Sequence, residues 1–248
     1  MPSRDESKDM PQKLYREWRE AAGQMRSLLQ ELQDLGVDEL GQVPRFEELP
    51  LCPSNGAGGE LCRPETLEEI RTDLGDCQRC PLARGRTRLV FGCGSATARL
   101  VLVGEGPGRE EDLQGIPFVG EAGRLLERML FAMGLSRDEV YICNVVKCRP
   151  PGNRDPASPE IAACEPFLAR QLAAIRPRVI LALGRFAAQT LLQDDAPVSR
   201  LRGHWRSYQG LPLMPTYHPA FLLRNPAAKR EAWEDLKQVM LRLRQSES

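Results

Sequence analysis

The sequence predicts an α/β fold in which a largely parallel sheet lies between helices, preceded by a helical extension. Three observations carry this reading. Four short apolar runs recur along the chain, and each is followed by a helical pattern. This alternation begins only near Glu65. What precedes Glu65 differs in composition and charge.

Taken in order, Gln12 to Leu35 set Leu14, Trp18, Met25, Leu28, Leu29, Leu32 and Leu35 near helical spacing. They predict a helix that docks on the body or on a protein partner. Gly41 to Pro64 is rich in Gly and Pro and includes Ser54-Asn55-Gly56-Ala57-Gly58-Gly59, so it reads as a flexible linker. The chain thus divides into an extension over 1–40, a linker over 41–64 and a globular α/β domain over 65–248. Within that domain the predicted strands are Leu100–Val103, Val140–Val146, Val179–Leu183 and Leu211–Pro215. The helices between and after them fall near Glu121–Met133, Pro159–Ile175, Arg185–Leu192 and Ala227–Arg244. There are no internal repeats.

A chain of 248 residues has room for one sizeable α/β domain and an extension. No apolar run approaches the roughly 18 residues of a membrane span. The N-terminus is polar and shows no signal-peptide stretch. The expectation is a soluble, cytoplasmic monomer. Eight cysteines in such a chain point to metal binding rather than disulfides. Formal net charge is zero, but residues 1–76 carry 9 Lys/Arg against 17 Asp/Glu, while residues 77–248 carry 25 against 17. The body is therefore basic, the footprint of a phosphate-backbone partner.

The most informative stretch runs from Gly104 to Gly123. It follows the apolar run Leu100–Val103 and hands the chain to a helix N-terminus. Ligands of open α/β sheets bind at such carboxyl strand ends. Its glycines allow close backbone approach and its prolines stiffen the loop. Four carboxylates (Glu105, Glu110, Glu111, Asp112) would repel a phosphate, so the loop is built for other chemistry.

Cys77-Gln78-Arg79-Cys80 forms a tight pair, and Cys148 and Cys164 form a distant second one. Zinc and iron–sulfur clusters both accept four thiolates, and the spacing leaves both open. A thioredoxin-like redox pair is a third reading of the first two cysteines, without the expected βαβ start. Cys52, Cys62, Cys93 and Cys143 lack partner spacing.

Three segments together resemble the type 4, iron–sulfur uracil-DNA glycosylases. They are Gly104–Gly120, Asn144–Pro156 continuing to Cys164, and Thr216–Pro226, and the similarity runs from about Glu65 to Trp233. The resemblance implies a three-layer α/β/α sandwich with a four-stranded parallel sheet. It implies a [4Fe-4S] cluster on Cys77, Cys80, Cys148 and Cys164, and hydrolysis of the bond joining uracil to deoxyribose in DNA, the first step of base excision repair. Gly106 stands where many relatives carry Ala, which preserves a small residue. The region after Asn144 lacks the histidine-containing insert of a covalently trapping subgroup, so turnover is expected. No lysine except Lys147 lies in the three motifs, which argues against lyase chemistry.

On this reading Phe118 stacks on the flipped base, and the Asn144 amide matches uracil O4 and N3–H while rejecting cytosine. His218, in a rigid Tyr-His-Pro turn, hydrogen-bonds uracil O2 and stabilises the leaving anion. Glu105 and Glu111 are the candidates to orient water and offset the oxocarbenium charge, with Glu111 favoured by the resemblance. Gly106 and Pro107 line the water and uracil sites with backbone. Glu110 and Asp112 cap the following turn. Arg224 and Arg202 are the candidate phosphate contacts, and His204 is structural or DNA-facing. The competing readings are a catalytically silent DNA-binding iron–sulfur module of the same fold and a zinc-stabilised nucleotide-binding protein.

Overall fold

Successive residues of a strand face opposite sides of the sheet, and in this chain both sides are apolar. The computed structural model describes residues 65–245. The expected N-terminal helix, the linker, Cys52 and Cys62 lie outside them. One sheet contains β1 (Cys93–Gly94), β2 (Leu100–Gly104), β3 (Tyr141–Asn144), β4 (Val179–Leu183), β5 (Arg206–Tyr208) and β6 (Leu211–Thr216). Their order across it is β1-β3-β2-β4-β6-β5. The central four, β3, β2, β4 and β6, are parallel, whereas β1 and β5 join the edges antiparallel.

The helices are α1 (Leu67–Leu74), α2 (Arg109–Gln114), α3 (Glu121–Ala132), α4 (Ser158–Ile175), α5 (Arg185–Leu192), α6 (Val198–Leu201), α7 (Pro219–Arg224) and α8 (Lys229–Gln245). Leu100 and Leu102 of β2 pack with Leu125 and Met129 of α3, Leu222 of α7 and Leu236 of α8. Val101 and Val103 pack on the other side with Leu168 and Leu172 of α4, Ala188 of α5 and Leu201 of α6. Burying apolar side chains on both faces, at about 25 cal/mol per Å², makes the three-layer arrangement stable.

The four-stranded parallel core agrees with the sequence, and the six-stranded total corrects it. Both additional strands are too short to show a hydrophobic period. β5 reaches β6 through Gln209 and Gly210, both at positive φ (48° and 83°), a two-residue hairpin turn. The helical turn α2 was also not expected within the long loop after β2. Strand β3 is shorter than the apolar run Val140–Val146, although Val145 and Val146 still donate backbone hydrogen bonds to the carbonyls of Gly104 and Glu105.

From β2 the chain steps to β3 on one side and then to β4 on the other. Such a reversal opens a crevice at the carboxyl strand ends. Gly104 and Asn144 are register partners there. His218 follows β6 by two residues at the same end of the sheet.

Candidate active site and cysteine cluster

A cavity of about 400 Å³ opens at this end. Glu105, Gly106, Pro107, Glu111, Phe118, Asn144, His218 and Arg224 all line it. Glu105, Gly106, Pro107, Glu111 and Phe118 come from the segment after β2, Asn144 ends β3, His218 follows β6, and Arg224 ends α7, so the parallel strands bring distant parts of the chain together.

Asn144 is 1 % exposed, and its Oδ1 has no hydrogen-bond partner. A buried amide oxygen left unpaired costs about 1–3 kcal/mol, so it is poised for a ligand. Gly104 makes room for it. A Cβ there would meet Asn144 Oδ1 at 2.4 Å and the Phe118 ring at 2.6 Å. The Asn144 carbonyl accepts from Lys147 Nζ at 2.7 Å. Lys147 is fully buried, donates also to Gln171 Oε1 at 2.6 Å, and lies outside the cavity lining.

Phe118 is buried with φ 54°, a left-handed conformation uncommon for a bulky residue. Its ring centroid lies 5.5 Å from that of His218, with the planes at 31°. His218 caps α7, and its Nδ1 accepts the Ala220 N–H at 3.1 Å. That bond fixes the neutral tautomer with its proton on Nε2. Burial, reinforced by the Arg224 charge and opposed by Glu111, pulls its pKa down to about 4. Gly184 gives the imidazole its place, since a Cβ there would approach the His218 Cβ to 2.8 Å.

The two carboxylates differ. Glu111 is the third residue of α2, and its Oε2 reaches back to accept the N–H of the N-cap Gly108 at 3.1 Å. Its Oε1 accepts the N–H groups of Val119 and Gly120, both at 2.9 Å. Glu105 makes no such backbone bonds. Burial first, and then the neighbouring Asp155, push its carboxyl up to about 7 against the opposing pull of Arg185. Asp112 does not cap the following turn: it is buried within α2, and its Oδ1 accepts the Thr87 N–H at 2.8 Å, tying α2 to the segment before β1. Asp155, Arg154, Asn153 and Phe221 also line the cavity, although sequence reasoning gave them no role.

Arg224 is exposed at the rim. Arg202 is not among the lining residues. It pairs with Asp235 and Glu231 and sits 5.4 Å over the Tyr217 ring, its side chain only 16 % exposed. Asp235 in turn accepts from Thr216 Oγ1 at 2.6 Å. Arg202 therefore braces the end of β6 in place of the expected phosphate contact. His204 is exposed, with Nδ1 2.9 Å from the Arg202 carbonyl.

On the far side of β3 the four cysteines converge. Cys80, Cys148 and Cys164 belong to one packed cluster, and Cys77 is joined to it through Arg86, whose Nη1 donates both to the Cys77 carbonyl at 2.6 Å and to Cys148 Sγ. None of the four is in a disulfide. Burial pushes Cys148 up to about 11 and raises Cys164 as well. N–H donors surround them: Arg79 Nη1 lies 3.4 Å from Cys77 Sγ, Arg86 Nη1 3.3 Å from Cys148 Sγ, and the Lys147 amide 3.3 Å from Cys164 Sγ. Among the described residues no three His, Cys, Asp or Glu side chains gather tightly enough to share one metal ion.

Comparison with known proteins follows the same lines. The model of the uracil DNA glycosylase superfamily matches residues 91–237. The chain is 44 % identical over 183 residues to the type-4 uracil-DNA glycosylase of Archaeoglobus fulgidus, covering 71 % of this chain and 92 % of that one. It is equally similar, 44 % over 183 residues, to the type-4 uracil-DNA glycosylase of Thermotoga maritima, covering 71 % and 94 %. To the type-5 uracil-DNA glycosylase of Pyrobaculum aerophilum it is 32 % identical over 166 residues, covering 60 % and 72 %.

Proposed function

The chain belongs to the type-4 uracil-DNA glycosylases of the uracil DNA glycosylase superfamily, and from that premise we propose how its residues excise uracil from DNA. It is a hydrolase of N-glycosyl bonds, releasing uracil and leaving an abasic site for base excision repair. The observation that carries the residue assignment is the unpartnered Oδ1 of Asn144, buried beside an aromatic plate and a neutral imidazole.

An extrahelical uracil stacks on Phe118 and presents its Watson–Crick edge to Asn144, whose amide pairs with O4 and N3–H. Cytosine offers the opposite pattern and leaves the buried amide unpaired. As the C–N bond lengthens, negative charge gathers on uracil O2, and the His218 Nε2–H donates to it. An imidazole already neutral at working pH stabilises that anion without a proton transfer. Glu105 orients the attacking water and offsets the positive charge growing on the sugar. Glu111 is given the shaping of the loop, because its oxygens are already engaged by three backbone N–H groups. Arg224 at the rim contacts phosphate.

Cys77, Cys80, Cys148 and Cys164 are the residues that would hold the [4Fe-4S] cluster. Each iron of such a cluster takes one thiolate, and the type-4 family to which the chain belongs supports this group over zinc. Metal charge is also what deprotonates thiols that burial has raised. When bound, the cluster would supply a structural cross-link among the segment before β1, the loop after β3 and α4. A cytoplasmic setting suits cysteines that remain unpaired.

Excision of uracil from a labelled oligonucleotide, read by alkali cleavage, tests the proposal. Cleavage that is lost in His218→Ala and Glu105→Gln, with DNA binding retained, is the expected result. Cluster-loaded protein that binds the strand and leaves it uncut would identify a silent binding module instead.

A further inference from the structure

We infer that Arg137, which lies outside all three motifs, is a positioning residue that sets the Phe118 plate by clamping its backbone in the left-handed conformation. The inference rests on Phe118 being the wall on which uracil stacks. Phe118 adopts φ 54° with an aromatic side chain, a conformation that persists only where surrounding groups over-determine it. The surroundings do so from both directions. Arg137 Nη2 donates to the Pro117 carbonyl at 2.6 Å, and its Nη1 donates to the Phe118 carbonyl at 2.8 Å. The next two N–H groups, of Val119 and Gly120, donate to Glu111. Four consecutive residues are thus held by one cation on the carbonyl side and one anion on the amide side.

The clamp leaves little slack. The Phe118 carbonyl crowds Gly123 so closely that a Cβ there would lie 1.9 Å from its oxygen. Arg137 is itself held by Glu127 Oε1 at 3.3 Å and by Cys93 Sγ at 3.7 Å, so its fork is oriented before any ligand arrives. Across the plate, Gly104 admits the ring against Asn144 Oδ1. The ring therefore has one place to go, between Asn144 and His218, as long as its backbone stays left-handed. A planar guanidinium can hold two successive carbonyls at once, and a lysine ammonium, a point charge, cannot reproduce that fork.

Arg137 touches no group that lines the cavity except the Phe118 backbone, so its effect must pass through Phe118. A double-mutant cycle on the full-length, cluster-loaded enzyme tests this, reading single-turnover excision and inhibition by free uracil. Arg137→Lys should slow excision about tenfold and weaken uracil inhibition similarly in the wild-type background. In the Phe118→Ala background the same substitution should cost less than about twofold. DNA affinity should not change in either. Should Arg137→Lys fail to fold, Arg137→Gly with added guanidinium is read the same way, with rescue expected only when Phe118 is present. Equal losses in both backgrounds, unchanged excision, or no rescue would overturn the inference. Wild-type enzyme that excises uracil but is indifferent to Phe118→Ala would instead remove the stacking reading beneath it.

Discussion

Titration of the cavity separates the work of Glu105 from that of every other lining group. Burial and the neighbouring Asp155 push its carboxyl up to about 7, while His218 takes a proton only near 4. The two limbs of a pH profile are therefore about three units apart. If ionised Glu105 orients the water, about half the enzyme is competent at its pKa and roughly a tenth one unit below. Single-turnover excision, measured with enzyme in excess so that product release does not intervene, should rise about tenfold per pH unit below the pKa and level off above it. The charges around Glu105 give the direction of each shift. Asp155→Asn removes a repelling carboxylate and should move the limb to lower pH. Arg185→Gln removes an attracting cation and should move it higher. Glu105→Gln should abolish the limb and leave a low, flat profile. Stability carries the matching sign. A carboxyl raised above its unfolded value costs stability as it ionises, so Tm should fall as pH rises from the ordinary glutamate range to about 7, and Glu105→Gln should remove that slope. A wild-type profile without this limb, or a limb indifferent to both flanking substitutions, would refute the assignment.

Asn144→Ala should lower excision by about a hundredfold or more while costing less than about 1 kcal/mol of stability, because its Oδ1 loses no partner. Calorimetry beside the excision assay checks both halves, and a large stability loss would make the residue structural. Lys147→Met should behave the other way. It leaves the Asn144 carbonyl and Gln171 Oε1 without their buried donor, a cost of about 2–5 kcal/mol visible as a lowered Tm. Chemical denaturation of the iron-loaded protein measures it, and a change below about 1 kcal/mol would contradict the network.

The sheet core was legible because its strands obey a simple rule: buried on both faces, they read as apolar runs closed by loops. The edge strands were not, since Cys93–Gly94 and Arg206–Tyr208 are too short for any period. In the site, Phe118, Asn144 and His218 were readable from their motifs, and the cavity gathers them. The different situations of Glu105 and Glu111 were not readable. Both are glutamates in one loop, and only folding gives one of them three backbone donors. Arg202 misled for a related reason. A basic loop resembles a phosphate contact until Asp235, 33 positions later, closes on it. Arg137 had no sequence signal, because its partners are main-chain carbonyls about 20 residues earlier. Gly184 did have one, a glycine directly after a predicted strand.

The short antiparallel strands at the two margins of the sheet bear on how this protein survives crowding. A long exposed border of unpaired amides is a template on which a second molecule can polymerise. Here each border ends in a strand of two or three residues, one of them folded back through a tight hairpin. An incoming chain would find too few consecutive donors and acceptors to hold on, so the apolar ribbons at the centre stay sealed from their counterparts in neighbouring molecules.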